Sequence, residues 1–416
     1  MTEKPKVLMV VTLDTKEVEA RFVRLCLEEH GLQVWLLDAS VRRIIEGGAE
    51  IGPDQVAGAA GTTIADIRSL NHEGKSLEIM KKGAIRCAQE LHCRVGLSGI
   101  ISVGGSLGTD LGTAVMRAFP LGLPKVMIST MASGMTRPLV GTKDIMMIPS
   151  VCDIVGLNAV TRSILRNGAL ALAGMAAGYR PLTASTRPLV AISTLGATER
   201  CCSAIRRALE EKNFEVMVFH TQGIGGVAMD EAVREQGVAV AVNLSLIEVS
   251  DYLCDGIYSG GPDRCKASLE KGIPTVFAPG NVDFMVAGPI EDAQTRFPGR
   301  RYHIHNPELT AVRAGEGEFK RLAEHMAGLI RTANGPVAFF VPLLGFSDHD
   351  SERGHLQDRS LPPVFAEHLK KVMPEGVPVK VLPCHINDQE FADSITEQVL
   401  AFHFRKGELQ GIESGV

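Results

Sequence analysis

Three short stretches combine glycine, hydroxyl and charged residues in a way suited to holding an anion: TLDTKE at 12–17, VGGSLGTD at 103–110 and STMASG at 129–134. An oxyanion needs several backbone N–H groups converging on it, and glycine lets the main chain approach closely. Gly104, Gly105 and Gly108 supply that freedom, and the hydroxyls of Ser106 and Thr109 are further donors. The run from Asp110 onward, DLGTAVMRAF, reads as a helix whose N-terminal dipole favours negative charge. Thr130, Ala132, Ser133 and Gly134 lie in a second turn of small residues after the next strand signal. Asp14, Thr15 and Lys16 form a third turn, in which Lys16 can offset phosphate charge and Asp14 can hold Mg2+ through water. Asp14 and Glu17 suit helix-start capping equally well. No GxxxxGK[ST] loop and no strict GxGxxG is present, so a tight strand–helix connection also explains the glycines.

A second set of reactive side chains lies in the C-terminal half. YHIHNP holds His303 and His305, GFSDHDSERGHLQDR holds Asp348, His349, Asp350 and His355, and PCHIND holds His385, Asn387 and Asp388. Imidazole beside carboxylate can move protons or bind a metal, and His305, Asp348 and His385 are the candidate catalytic trio. A solvated loop with structural histidines is the competing reading, because no compact motif such as HExxH occurs. Met146–Met147 reads as core filling, and Arg301, beside YHIHNP, could reach an acidic ligand.

The elements that must position these residues follow from length and patterning. A chain of 416 residues exceeds one ordinary core, so two domains are expected. Hydrophobic content of 45% with 22% charged residues fits a soluble globular protein. A formal net charge of −5, without a basic run, argues against a nucleic-acid partner. Nine cysteines without CxxC pairs read as free thiols in a reducing cytosol. The apolar runs at 7–13 and 168–178 are too short for a signal-peptide core followed by cleavage or for a membrane span. A cytoplasmic location without membrane attachment is the expectation.

An internal repeat organises the chain. Residues 7–38 lie on residues 189–220 without a gap, at an offset of 182, with Thr12, Leu13, Glu17, Arg24 and Leu27 matching Thr194, Leu195, Glu199, Arg206 and Leu209. Each copy reads as buried strand, turn, amphipathic helix and buried strand, the pattern of a parallel sheet covered on both faces. Further on, 100–106 pairs with 256–262 and 121–130 with 271–280 as matching strand signals. The fold class expected is α/β, with two Rossmann-like, doubly wound parallel-sheet domains related by this repeat. The Pro/Ser/Thr-rich stretch at 178–188 separates a nucleotide-binding domain at 1–182 from a second domain at 187–416. The latter carries a C-terminal extension, with strand signals at 336–345 and 377–385 and helical patterns around 315–331, 362–372 and 388–404.

TLDTKE, the block GGSLGT…LGTAVMRAFPLGLPKVMISTMASG, SGGPDR and the later HNP and HIND together resemble the ATP-binding protein family named after the tomato mosaic virus resistance protein. The resemblance covers essentially the whole chain and is most specific over 101–134. It implies two Rossmann-like subdomains, ATP bound in the N-terminal one, and a homodimer. The chain departs from the family pattern at Val11, Glu17 and Leu107, where glycine is usual. The expectation is therefore a nucleotide-binding cytoplasmic protein holding ATP with Mg2+. The alternative is an enzyme acting on a small-molecule substrate, a sugar acid or other carboxylate, through the C-terminal trio, with phosphoryl transfer among its possible reactions. A scaffold in which a ligand only stabilises a dimer is a third reading.

Overall fold

Strands β1 (Lys6–Val11), β2 (Gln33–Asp38), β3 (Gly99–Gly104), β4 (Lys125–Ser129) and β5 (Met146–Pro149) form one parallel sheet in the order β2-β1-β3-β4-β5. The computed structural model describes residues 3–134, 136–183 and 185–413, and the chain divides after residue 183 into two compact units. The central strands are apolar without alternation because both faces are buried. Successive side chains point to opposite faces: Leu8 and Val10 pack with Met80, Ala84, Leu111 and Val115, whereas Val7 and Met9 pack with Val23, Leu27, Leu165 and Leu172. Helices Glu73–Val95 and Ser106–Arg117 thus cover one face, and Leu13–Glu29 and Ala159–Gly178 cover the other. The chain runs from β1 outward to β2 and returns to β3 on β1's other side. Helices after β1 and β3 therefore leave on opposite faces, and a crevice opens between the strand ends.

The second unit repeats this order. Strands β6 (Leu189–Thr194), β7 (Glu215–His220), β8 (Val240–Ser245) and β9 (Thr275–Gly280) come first. A small antiparallel sheet of β10 (Phe284–Ala287), β11 (Tyr302–Asn306) and β12 (Leu309–Arg313) follows, and β13 (Val337–Pro342) and β14 (Val379–Leu382) close the parallel sheet. Its order, β14-β13-β9-β8-β6-β7, is that of the first sheet with one strand added at the far edge. Two parallel-sheet α/β domains are therefore present, as the sequence pattern predicts. The expected late helices are Glu316–Ile330, Leu361–Val372 and Gln389–Glu413. Among the described residues, no helix is long and apolar enough to cross a membrane.

The repeat extends to backbone detail. Lys16 interrupts the first helix at φ −130°, ψ 25°, and Thr198, its partner at offset 182, sits at φ −123°, ψ 13° before its own helix. The later strand matches divide. Segment 121–130 contains β4 and its partner 271–280 contains β9, as expected. The pairing of 100–106 with 256–262 is corrected: the counterpart of β3 is β8, and 256–262 is irregular chain. Glycines and an apolar start gave 256–262 a strand-like look, but its Gly–Gly–Pro run belongs to a turn, not to a sheet. Met146 is also corrected, since it stands exposed on edge strand β5 instead of filling the core.

Candidate functional site

The β1–β3 crevice is open, with a volume of about 640 Å3. Thr12, Asp14, Thr15 and Lys16 line it from the end of β1, and Gly104, Gly105, Ser106, Leu107 and Gly108 line it from the end of β3. Ala39, Val41, Leu77 and Met80 make an apolar wall, and Arg42, Arg68 and His72 stand among its polar residues. A pocket of this size, with an apolar wall facing polar and charged side chains, suits a small polar organic ligand.

The glycine turn owes its shape to close packing. A Cβ on Gly104 would meet Gly108 Cα at 2.7 Å, so the chain can fold back only without a side chain there. Thr109 N–H donates to Gly105 O at 2.8 Å and begins the helical ladder. Among the described residues, the amides of Gly105, Ser106, Leu107 and Gly108 find no acceptor within the chain. These are the first-turn donors that an α-helix cannot satisfy itself. Four unspent N–H groups at a helix N-terminus beside a cleft suit an oxyanion.

The neighbouring residues play different parts from those their sequence suggests. The Thr109 hydroxyl is buried, donates to Gly105 O at 2.7 Å and meets Ser129 Oγ at 2.6 Å, so it locks the turn and does not face the cleft. Asp110 takes Lys81 Nζ at 3.0 Å. The turn at 130–134 does not line the cleft. Thr130 N–H donates to Gly104 O, Ala132 N–H to Ser129 O and Gly134 N–H to Met131 O, which spends those amides inside the chain, while Ser133 lies exposed.

The first helix is likewise closed at its start. Leu13 N–H donates to buried Asp38 Oδ1 at 3.0 Å, Asp14 N–H to Ser40 Oγ at 2.9 Å, and Thr15 and Lys16 N–H to Thr12 O. This turn therefore offers the cleft side chains, not amides. The Asp14 carboxylate accepts Arg42 N–H at 3.1 Å, and Lys16 Nζ reaches Thr15 O at 3.3 Å. Burial pushes the Asp38 carboxyl above its ordinary range, against the hydrogen bonds from Ser40 and Leu13. Asp38, Ser40, Arg42, Leu77 and Met80 were not singled out from sequence. Asp38 could have been, because it ends a strand one step from the crevice.

In the second unit the equivalent crevice is filled. Leu195 after β6 and Ile247 after β8 pack with Phe284, Val286 and Ala311 of the small sheet and with Leu356. The hydroxyls that follow β6 turn inward: Thr198 Oγ1 meets Thr194 Oγ1 and donates to Asn281 Oδ1, each at 3.0 Å. Where the first unit sets Lys16, the second sets this buried threonine. SGGPDR, at 259–264, contributes a buried Arg264 that pairs with Glu248 at 2.9 Å and Asp230 at 3.1 Å.

The structure brings two members of the candidate trio to one groove. Asp348 and His385 line one surface groove of about 580 Å3 with Arg200, Arg353 and Arg359, and His305 is not among its lining residues. Asn387 N–H donates to His385 Nδ1 at 3.1 Å, which leaves the ring proton on Nε2 facing Ser347 O at 3.0 Å. Both nitrogens of that ring are thus engaged with main chain. Asp348 Oδ1 accepts Arg200 at 2.8 Å and Asn387 Nδ2 at 3.0 Å. Arg301 is held by Gln357 O and Asp358. Beneath them Arg313 binds Asp350 at 3.1 Å, and burial with the facing Asp283 pushes Asp350 up to about 7. Among the described residues, no group of three His, Cys, Asp or Glu side chains is arranged to hold a metal ion.

Residues 5–181 match the N-terminal domain, and residues 187–403 the C-terminal domain, of a family described as "Uncharacterised protein family (UPF0261)". The chain is 35% identical over 95% of its length to a UPF0261 protein of Clostridium tetani, spanning 98% of that protein. It is 33% identical over 94% of its length to one from Mesorhizobium japonicum, spanning 97% of it. It is also 34% identical over 81% of its length to the ToMV resistance protein Tm-1(GCR237) of Solanum lycopersicum, of which it spans 45%.

Proposed function

The chain belongs to the uncharacterised protein family UPF0261, and from that premise we propose that its N-terminal unit binds ATP with Mg2+ in the crevice between β1 and β3. One observation carries the reading: the amides of Gly105, Ser106, Leu107 and Gly108, left without acceptors among the described residues, border a cleft of about 640 Å3. Phosphate oxygens would take those donors, with the Ser106 hydroxyl beside them and Lys16 offsetting charge. The wall of Val41, Leu77 and Met80 offers the base an apolar surface. Of the carboxylates that line the cleft, Asp14 and Glu73, Asp14 is the one proposed for Mg2+, since the Glu73 side chain pairs with Arg42. The ion would neutralise phosphate charge there.

A homodimer fits the exposed apolar side chains at and after edge strand β5, where Met146, Val151, Val155 and Val160 are 44%, 83%, 72% and 47% exposed. A cytoplasmic home fits nine free cysteines.

Thermal unfolding with added ATP and Mg2+ tests the nucleotide reading. A ligand at about 100 times its Kd adds ~2.7 kcal/mol, a readily measured rise in Tm. Lys16→Ala should reduce that rise at fixed ATP. No shift at millimolar ATP–Mg2+ overturns the proposal.

A further inference from the structure

The small sheet that fills the second crevice is joined to segment 345–359 through a cluster of histidines that the nucleotide reading leaves unused. His303 on β11 lies 4.6 Å from His349 and 5.0 Å from His355, centroid to centroid, and is within 11° of parallel to His355. His349 stands edge-on to Phe284 of β10 at 5.2 Å. His305, on the same strand as His303, is near enough for its charge to act on both His303 and His349. Imidazoles in such contact pack well while neutral and repel once several are protonated.

The charged groups around the cluster are already committed. On the turn that carries His349, Asp348 holds Arg200 and Asp350 holds Arg313 of β12. Asp283, after β9, also faces Arg313, and Arg301, just before β11, holds Asp358. On segment 345–359, Glu352 pairs with Arg359. Below β10, the buried Asp251 accepts Val286 N–H. Of these carboxylates Asp348 is the one whose charge favours a protonated His349, and burial outweighs it. An added imidazolium therefore finds little spare negative charge.

We propose that His303, His305, His349 and His355 form an acid-operated latch: protonation separates β11 from segment 345–359 and uncovers the crevice between β6 and β8. The small sheet reaches Leu195 and Ile247 at that crevice, so loosening its grip on the segment opens the place where a parallel sheet of this order takes ligands. Burial first, and then the other histidines, hold His303 below the ordinary histidine range, and burial does the same to His349. A folded-state value lowered in this way means that the latched form binds fewer protons than the open one. The latch is then fully closed above the ordinary histidine value of about 6.5 and weakens as pH falls through the lowered values. The proposal is independent of nucleotide binding in the first unit.

Hydrogen–deuterium exchange on the full chain at pH 7.5 and 5.5, corrected for intrinsic rates, tests it. Expected is a loss of protection of about tenfold or more at the lower pH, confined to peptides covering 284–313, 345–359 and the strand ends near Leu195 and Ile247. The double variant His349→Phe, His355→Phe keeps aromatic rings in place but cannot charge them. It should match the parent at pH 7.5 and lose most of the acid response. An unchanged acid response in that variant, or none in the parent, overturns the latch. Should the variant fail to fold, histidine proton resonances of the parent decide: lowered, mutually displaced midpoints for His303 and His349 support the latch, and ordinary independent midpoints for those two overturn it.

Discussion

Gly104 and Gly105 are adjacent, yet they differ in what they tolerate. A methyl group on Gly104 would collide with Gly108 main chain at 2.7–2.9 Å, whereas one on Gly105 would meet only Thr130 Oγ1 at 3.8 Å. Neither has a positive φ, so space alone separates them. Gly104→Ala should cost ~1–3 kcal/mol of stability through forced backbone movement. It should also weaken nucleotide binding by about tenfold or more, because charge-assisted hydrogen bonds of ~1.5–3 kcal/mol depend on where those amides point. Gly105→Ala should leave both nearly unchanged. Calorimetric titration of the two variants checks this, and equal losses in both would remove the distinction. The same reasoning explains why a hydroxyl in a glycine turn need not be a ligand. Thr109 is a donor by type, but two internal partners claim it.

The element that presents those amides is helix Ser106–Arg117, and its position is set by contact with β3. Gly112 lies so close that a Cβ would sit 2.3 Å from Ser102 Oγ and 3.1 Å from Met127 Sδ. Ser102 cannot readily swing aside, since its hydroxyl donates to Val10 O at 2.7 Å across the sheet. Gly112→Ala should therefore push the helix outward. The expected cost is ~1–3 kcal/mol in stability. Nucleotide affinity should fall as well, although Gly112 lies outside the cleft lining. Chemical denaturation gives the first effect and titration the second. A variant that loses stability but keeps full affinity would show that the turn holds its own geometry. The first helix behaves differently, because Asp38 and Ser40 satisfy its leading amides and leave Lys16 at the break as its contribution to the cleft.

At the scale of the whole chain, one architecture occurs twice with opposite outcomes at the switch point. Both sheets run second-first-third-fourth-fifth, but the insertion of β10, β11 and β12 packs over the second crevice, while the first stays open. Duplication thus preserved the sheet and diverged at the strand ends. The proposed dimer also belongs to this scale. Val151→Asp combined with Val155→Asp places charge on two of the most exposed apolar positions and should shift the chain from dimer to monomer in sedimentation velocity, with little change in folding. A dimer that persists would move the interface elsewhere.

The linear chain by itself determined the fold class and the repeat. Continuous apolar strands, a helical stripe and a constant offset are local patterns, and a parallel sheet is built from such local units. It also pointed to the turns at 12–16, 104–110 and 130–134, because glycine and polar residues after a strand mark a strand end. Which of those groups are free was decided only in three dimensions, since a donor is available to a ligand only when no neighbour distant in sequence has taken it. Ser129 for Thr109, Lys81 for Asp110 and Ser347 for His385 are such neighbours. The gathering of His303, His349 and His355 across some 50 residues of chain, and the closing of one crevice by a sheet inserted far downstream, are likewise matters of packing that no local pattern encodes.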